Sequence, residues 1–198
     1  YFLKERQYFE SLEKAQNPKT LVVACCDSRV DPAILLHCKP GDLFVIRNVA
    51  ALVPAVTQAS NPCSVMSAIE YGVKHLNVEH IVVMGHSHCG GIHGLMTPES
   101  IAGETYIQDW VSIASPALER LQAMTGDKDE KTRSRHCEEG AVLISLDNLL
   151  SYPWIAERVK NGQLKLHALY YDLSEGNLYR FSPDSEDFEL LFHTIENP

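Results

Sequence analysis

Two short apolar runs dominate the hydropathy pattern, Leu21-Val22-Val23-Ala24-Cys25 and Ile81-Val82-Val83-Met84. Each is rich in β-branched residues, too short for a helix and uninterrupted by polar positions, the pattern of strands buried on both faces. Both end in residues that carry chemistry: Cys25-Cys26-Asp27-Ser28-Arg29 after the first, Gly85-His86-Ser87-His88-Cys89-Gly90-Gly91 after the second. Residues 43–46 predict another strand, and 164–173 with 178–181 predict a hairpin turned at Ser174-Glu175-Gly176-Asn177. Helical periods lie between them. Phe2, Phe9 and Leu12 mark an arm over residues 1–15 that Asn17-Pro18 stops. Asp31-Pro32 opens a short helix through Leu36, with Asp31 as N-cap and Pro32 at the first helical position. Val65, Ile69 and Val73 mark a helix over 64–74; 108–124 predicts one or two around Pro116; 141–150 is amphipathic, and 153–161 shorter. Residues 49–62 lack a period and predict a wrap along an interface or pocket rim. Residues 125–139 are so dense in charge that they predict a solvated loop and helix start, and the acidic stretch after Ser182 carries no signal.

Strands separated by helices predict an α/β fold: a mainly parallel central β-sheet flanked by helices, with a C-terminal antiparallel hairpin and a projecting N-terminal helix. Residues 1–198 read as a single domain, with 1–15 as its arm. In such sheets ligands bind beyond the carboxyl ends of strands where strand order reverses, so the two polar turns can share one site. At 198 residues and 45% hydrophobic, the chain can bury one core. Its net charge of -9 argues against nucleic acid or an anionic membrane as partner. No apolar run reaches the roughly 18 residues that span a bilayer. The expected location is cytoplasmic, or an organelle if a targeting peptide precedes Tyr1.

Six cysteines would permit a disulfide framework, but a chain of this size does not need one, and Cys25 and Cys89 stand at strand ends beside Asp and His. Sulfur and imidazole suit zinc, and Cys25, His86 and Cys89 supply three ligands for one ion per chain. Asp27 is the candidate for a fourth. Arg29, two residues on, can instead hold that carboxylate in a bidentate pair, leaving a coordination position for water and Asp27 to orient the hydroxide formed there. Two thiolates donate more charge than imidazoles, so the activity should be more alkaline than that of an all-His site. Gly90 and Gly91 lack side chains that would block a substrate oxygen from a backbone N-H.

The motif C-x-D-S-R at Cys25 to Arg29, paired with H-x-x-C-G-G at His86 to Gly91, resembles the β-class carbonic anhydrases. The resemblance continues through Pro40-Gly41-Asp42-Leu43-Phe44 and Arg47-Asn48 to the final hairpin. It implies reversible hydration of carbon dioxide to bicarbonate and a proton, and a homodimer or higher homo-oligomer in which the N-terminal helix crosses the partner. By position, Cys25, His86 and Cys89 match the zinc ligands, Asp27 and Arg29 the catalytic dyad, and Gly90 a backbone contact to substrate. Gln16, in Gln16-Asn17-Pro18-Lys19, matches the plant-type members, whose amide holds the substrate oxygen. Phe44, Val49 and Tyr71 match an apolar pocket lining supplied in part by a second subunit, although each would be ordinary core in most α/β domains. Some bacterial members are switched off through a bicarbonate site built partly from a Trp. Here that position is Val22, so an open resting site is expected although Arg47 and Tyr171 match its other members. Ala51 stands where an Asn is common. The rival readings are hydrolysis of carbon disulfide or carbonyl sulfide at the same site, and a non-catalytic zinc protein in which Asp27 is a permanent ligand and Arg29 has no partner.

Overall fold

The computed structural model describes residues 3–59, 62–124 and 129–193. Phe2 of the predicted arm lies outside them. Six strands form one sheet in the order β2-β1-β3-β4-β5-β6: β1 (Thr20–Cys25), β2 (Leu43–Asn48), β3 (His80–His86), β4 (Lys165–Asp172), β5 (Asn177–Ser182) and β6 (Asp187–His193). The first four run parallel, and β5 pairs antiparallel with both β4 and β6; the parallel strands and the β4–β5 hairpin are as the hydropathy pattern predicts, whereas β6 is not. β1 sits between β2 and β3, with Leu21 opposite both Phe44 and Ile81. The strand order therefore reverses beside β1, and Cys25 and His86 end adjacent strands at that crevice.

Alternation along the central strands divides the core. Leu21, Val23, Ile81 and Val83 point to the face covered by α3 (Ser64–Lys74), α7 (Glu130–Leu150) and α8 (Pro153–Lys160), where Ile69, Val142 and Ile155 pack on them. Val22, Ala24, Val82 and Met84 point to the other face, covered by Leu35 of α2 (Pro32–Leu35), Leu36 and Phe192. A third cluster caps the carboxyl ends, where α4 (Gly90–Met96), α5 (Thr105–Val111) and α6 (Ser115–Ala123) surround Cys25 and Cys89. Asp31 caps α2 by accepting from the Ala33 and Ile34 N-H groups, as its position before Pro32 predicts. The arm helix α1 (Arg6–Leu12) buries no residue fully and meets the body where Tyr8 Oη donates to the Pro40 carbonyl. Among the described residues no helix is long and apolar enough to cross a membrane.

Three expectations need correction. The helix start expected within 125–139 is there, but it comes as early as Glu130, so residues 130–139 are the first half of α7 rather than a solvated loop, and Cys137 and Glu138 within them are buried; residues 125–128 lie outside the described ones. The buried positions Glu138, Val142, Ser145 and Leu149 follow a helical 4-3-4 spacing, so the stripe reaches four residues back from Val142 to a charge. The acidic stretch after Ser182 is not featureless, since Phe188 and its neighbours extend the hairpin into a meander as β6; its flanking charges suit an edge strand and mask the apolar residues. Of the stretch expected to wrap along a rim, residues 50–54 are core instead, whereas Val49 and Pro62 at its ends do border a cleft. Ala51, Leu52 and Val53 are fully buried, and Asn148 Nδ2 and Tyr152 Oη donate to the Val53 and Pro54 carbonyls.

Candidate metal centre

Each predicted donor is delivered by a strand end. Cys25 closes β1, His86 closes β3, and Cys89 is the residue before α4. Cys25 Sγ, a His86 ring nitrogen and Cys89 Sγ lie within 4.8 Å of one another, the three residues being only 5%, 2% and 3% exposed. No other His/Cys/Asp/Glu cluster among the described residues has this closeness. The His86 tautomer follows from its surroundings: Nδ1-H donates to the Ser87 carbonyl at 2.8 Å, which turns the lone pair of Nε2 toward the sulfurs. Nε2 is the one buried side-chain N or O among the described residues without a hydrogen-bond partner. An orphaned acceptor is costly unless something binds it, and a divalent soft-to-borderline cation answers that need with two thiolates beside it.

The sulfur of Cys25 is prepared for the charged form. It accepts from the N-H groups of Ala50 at 3.3 Å and Asp27 at 3.4 Å. The thiol is held well below its ordinary range, first by the hydrogen bond with Cys89 and, against the opposing effect of burial, by His86 and these two amides. The same shared proton, together with burial, pushes Cys89 up. Ala50 reaches the sulfur because a tight turn at Val49–Ala51 places Ala50 and Ala51 at φ of 63° and 55°. That left-handed conformation is costly for a residue with a Cβ, and here it holds the Ala50 N-H on the sulfur.

Asp27 and Arg29 make the bidentate pair that their spacing predicts. Arg29 Nε donates to Oδ1 at 2.9 Å and its terminal nitrogen to Oδ2 at 2.7 Å, while the Arg29 N-H also binds Oδ1. These bonds hold the Asp27 carboxyl well below the usual carboxylate range. Asp27 Oδ2 stands 4.0 Å from His86 Nε2, beside the donor cluster but outside it. Arg29 is anchored in turn on the His88 carbonyl, which ties the first turn to the second. Arg47, read from sequence only as a regulatory candidate, clamps the first turn through the carbonyls of Cys25, Asp27 and Val30.

The other predicted residues fall into two groups. Gly90 lies at the cluster, and a Cβ there would meet nothing within 4 Å, whereas one on Gly91 would strike Val49 Cγ1 at 2.7 Å and Ala50 Cβ at 3.0 Å. The two glycines thus have different reasons, open approach for one and close packing for the other. Val49 is also near, its carbonyl accepting from Trp110 Nε1, and it borders a cleft of about 530 Å³ shared with Cys26, Asn48 and Trp110. Gln16, Phe44 and Tyr71 are not brought to the donors of their own chain. Phe44 pairs with Leu21, four residues before Cys25, which is about 13 Å along the strand. Tyr71 packs beside Phe44 with ring centroids 6.1 Å apart and is 46% exposed; Gln16 is exposed before β1 begins.

Sequence reading missed Glu138, whose carboxylate accepts the Cys89 N-H at 3.1 Å and the Tyr170 hydroxyl at 2.7 Å. Burial pushes this carboxyl up, against the pull of those two bonds. Its signal was present in the helical spacing of α7 but hidden by the charges around it.

Residues 20–178 match the family model described as carbonic anhydrase. Beta carbonic anhydrase 5 of Arabidopsis thaliana, chloroplastic, is 39% identical over 184 residues, covering 92% of this chain and 60% of the relative. Beta carbonic anhydrase 6 of the same plant, mitochondrial, is 40% identical over 191 residues, covering 94% and 65%. The chain thus spans less than two thirds of the length of these two relatives. Among solved structures, the β-carbonic anhydrase CcaA superposes with a TM-score of 0.86 at 32% identity, over 96% of this chain and 92% of that one. A tetrameric β-carbonic anhydrase of Sordaria macrospora gives 0.76 at 31%, over 91% and 89%. With a matching family model over most of its length, and a fold and donor cluster at the switch point of its sheet, the chain belongs to the carbonic anhydrase family, in its β class.

Proposed function

We propose that the chain binds one zinc ion through Cys25, His86 and Cys89 and catalyses reversible hydration of carbon dioxide to bicarbonate and a proton. The observation that carries this reading is the buried, partnerless His86 Nε2 facing two sulfurs within 4.8 Å, beside a carboxylate already engaged by Arg29. Zinc, when bound, supplies a Lewis acid that yields a nucleophile from water near neutral pH. The side chains do the rest. Asp27, kept ionised by Arg29, can only accept hydrogen bonds, so Oδ2 takes the proton side of the attacking oxygen and leaves a lone pair for the carbon of the substrate. Arg29 keeps Asp27 from swinging to the metal as a fourth ligand, which disfavours a purely structural site. The open space at Gly90 lets a substrate oxygen approach the backbone.

In this reading the chain works as a homo-oligomer. Gln16, Phe44 and Tyr71, remote from the donors of their own chain, would be delivered to the site of a second copy, while Val49 lines it from within. Support comes from the half-exposed apolar residues on and beside edge strand β2, Val45 and Tyr71 at 39% and 46%, and from the tetrameric relative of Sordaria macrospora. Residues 1–198 act as one domain with 1–15 as its arm, in the cytoplasm or in an organelle of the kind that houses the chloroplastic and mitochondrial relatives.

The test is stopped-flow hydration of carbon dioxide on zinc-loaded protein between about pH 6.5 and 9, with metal content measured on the same sample. The expected result is rapid turnover that rises with pH. Stoichiometric zinc without turnover at any pH would overturn the catalytic reading.

A further inference from the structure

Two of the three donors are held by their own neighbourhood in sequence or by an adjacent turn. His86 is fixed by the carbonyl of Ser87, and Cys25 by the amides of Asp27 and Ala50. Cys89 differs. It precedes α4 without any side-chain cap, and its buried N-H is taken by a carboxylate 49 residues away, Glu138 of α7. That carboxylate is 5% exposed and is itself anchored by the hydroxyl of Tyr170, a β4 residue 1% exposed. α7 comes this close because Gly85, the residue before the ligand His86, carries no side chain: a Cβ there would meet Val142 Cγ2 at 2.5 Å. Arg135 adds a backing layer, its guanidinium over the Tyr170 and Tyr179 rings and paired with Glu139.

A carboxylate is an expensive occupant for a stripe otherwise made of Val142, Ser145 and Leu149. An apolar residue would pack α7 on the sheet equally well but would leave the Cys89 N-H unpaired in the interior. We propose that Glu138 is a positioning residue for the metal centre: through the Cys89 N-H, and braced by Tyr170, it fixes the Cys89 turn so that its sulfur stays in register with Cys25 and His86. This inference rests on the zinc reading given above. It adds to that reading an outer partner for the ligand turn, of the sort that orients ligands in metal sites generally.

The test compares the full chain with Glu138→Ala, Glu138→Gln and Tyr170→Phe. The readouts are the zinc dissociation constant by competition with a chromogenic chelator, and the absorption spectrum of the cobalt(II)-substituted protein, which reports thiolate geometry. Glu138→Ala should weaken zinc binding about 10- to 100-fold and shift the cobalt bands. Glu138→Gln, whose amide oxygen still accepts from Cys89 and whose nitrogen can face the tyrosine oxygen, should rescue affinity to within about threefold. Tyr170→Phe should fall between them. A Glu138→Ala protein with parental zinc affinity and an unchanged cobalt spectrum would overturn the proposal, even if it melted at lower temperature. Should Glu138→Ala fail to fold, Tyr170→Phe decides: looser zinc with altered cobalt bands upholds the role, and parental values for both overturn it. Failure of the parent chain to bind zinc stoichiometrically would instead strike the zinc reading itself.

Discussion

The two ends of the central parallel strands are finished to very different degrees. At the carboxyl end Cys25, His86 and Cys89 are buried, each held by at least one hydrogen bond to ring, sulfur or backbone, and Arg47 clamps three carbonyls of the turn beside them. At the amino end Gln16 is exposed, Tyr71 and Phe44 pack at a half-open surface, and Lys19 pairs with Glu79 in solvent. Chemistry explains the contrast. A metal site needs donors organised before the ion arrives, which one chain can do with two adjacent strand ends. The residues that resemble a substrate wall need no such organisation within their own chain if a second copy receives them.

The largest effect should come from breaking the finished end. Cys25→Ser removes one of three donors, so bound zinc should fall from about one per chain to near none, and hydration should drop on the order of 10³-fold or more. Metal analysis and stopped-flow on one sample check both; full metal content would remove Cys25 from the ligand set.

Asp27→Asn sharpens the contrast by sparing the donors. Zinc should be retained while turnover falls about 10²- to 10⁴-fold. The pH sign is fixed by the depressed carboxyl of Asp27. A group lowered on folding contributes stability above its unfolded value near 4, and loses it only as pH falls through the lower folded value. Asp27 is therefore ionised throughout the neutral range, and the rise of activity with pH belongs to the nucleophile. The residual rate of Asp27→Asn should keep the parental shape between about pH 6.5 and 9; loss of the rising limb would show that Asp27 titrates there.

Gly91→Ala and Gly90→Ala compare two adjacent positions at the same end. The first forces a Cβ to 2.7 Å from Val49 Cγ1 and should destabilise the fold by about 1–3 kcal/mol, whereas the second meets open space. Urea titration should show a lower midpoint for Gly91→Ala alone. Carbon dioxide turnover should suffer in both. The smallest effect is expected at the unfinished end: Lys19→Ala breaks an exposed pair and should leave both the melting temperature and zinc content unchanged.

The strands β1 and β3 were legible because unbroken β-branched runs leave little alternative to burial on both faces, and all but the first residue of each is buried. α7 was legible only in its second half. Its first half, Glu130 to Glu139, shows charge to a linear reading, yet Cys137 and Glu138 turn inward once the helix is wound. β6 was missed for a related reason, since an edge strand keeps its charges and yields a weak alternation. Val49 and Gly91 were both singled out, but not as contacts of one another.

What the chain alone determined is chemical: which residues can be thiolate, imidazole, carboxylate or guanidinium, and that two strands end in them. Local spacing was enough for the Asp27–Arg29 pair, because two residues of separation at a turn already place the carboxylate within reach of the guanidinium. The tertiary structure decided whatever depends on distant segments meeting. It put the Ala50 amide on Cys25, the Glu138 carboxylate on the Cys89 N-H, and Gln16, Phe44 and Tyr71 away from the donors of their own chain. Those outcomes follow from sheet order, helix winding and the closest approach that Gly85 and Gly91 allow, which are properties of packing between elements rather than of any one stretch of sequence.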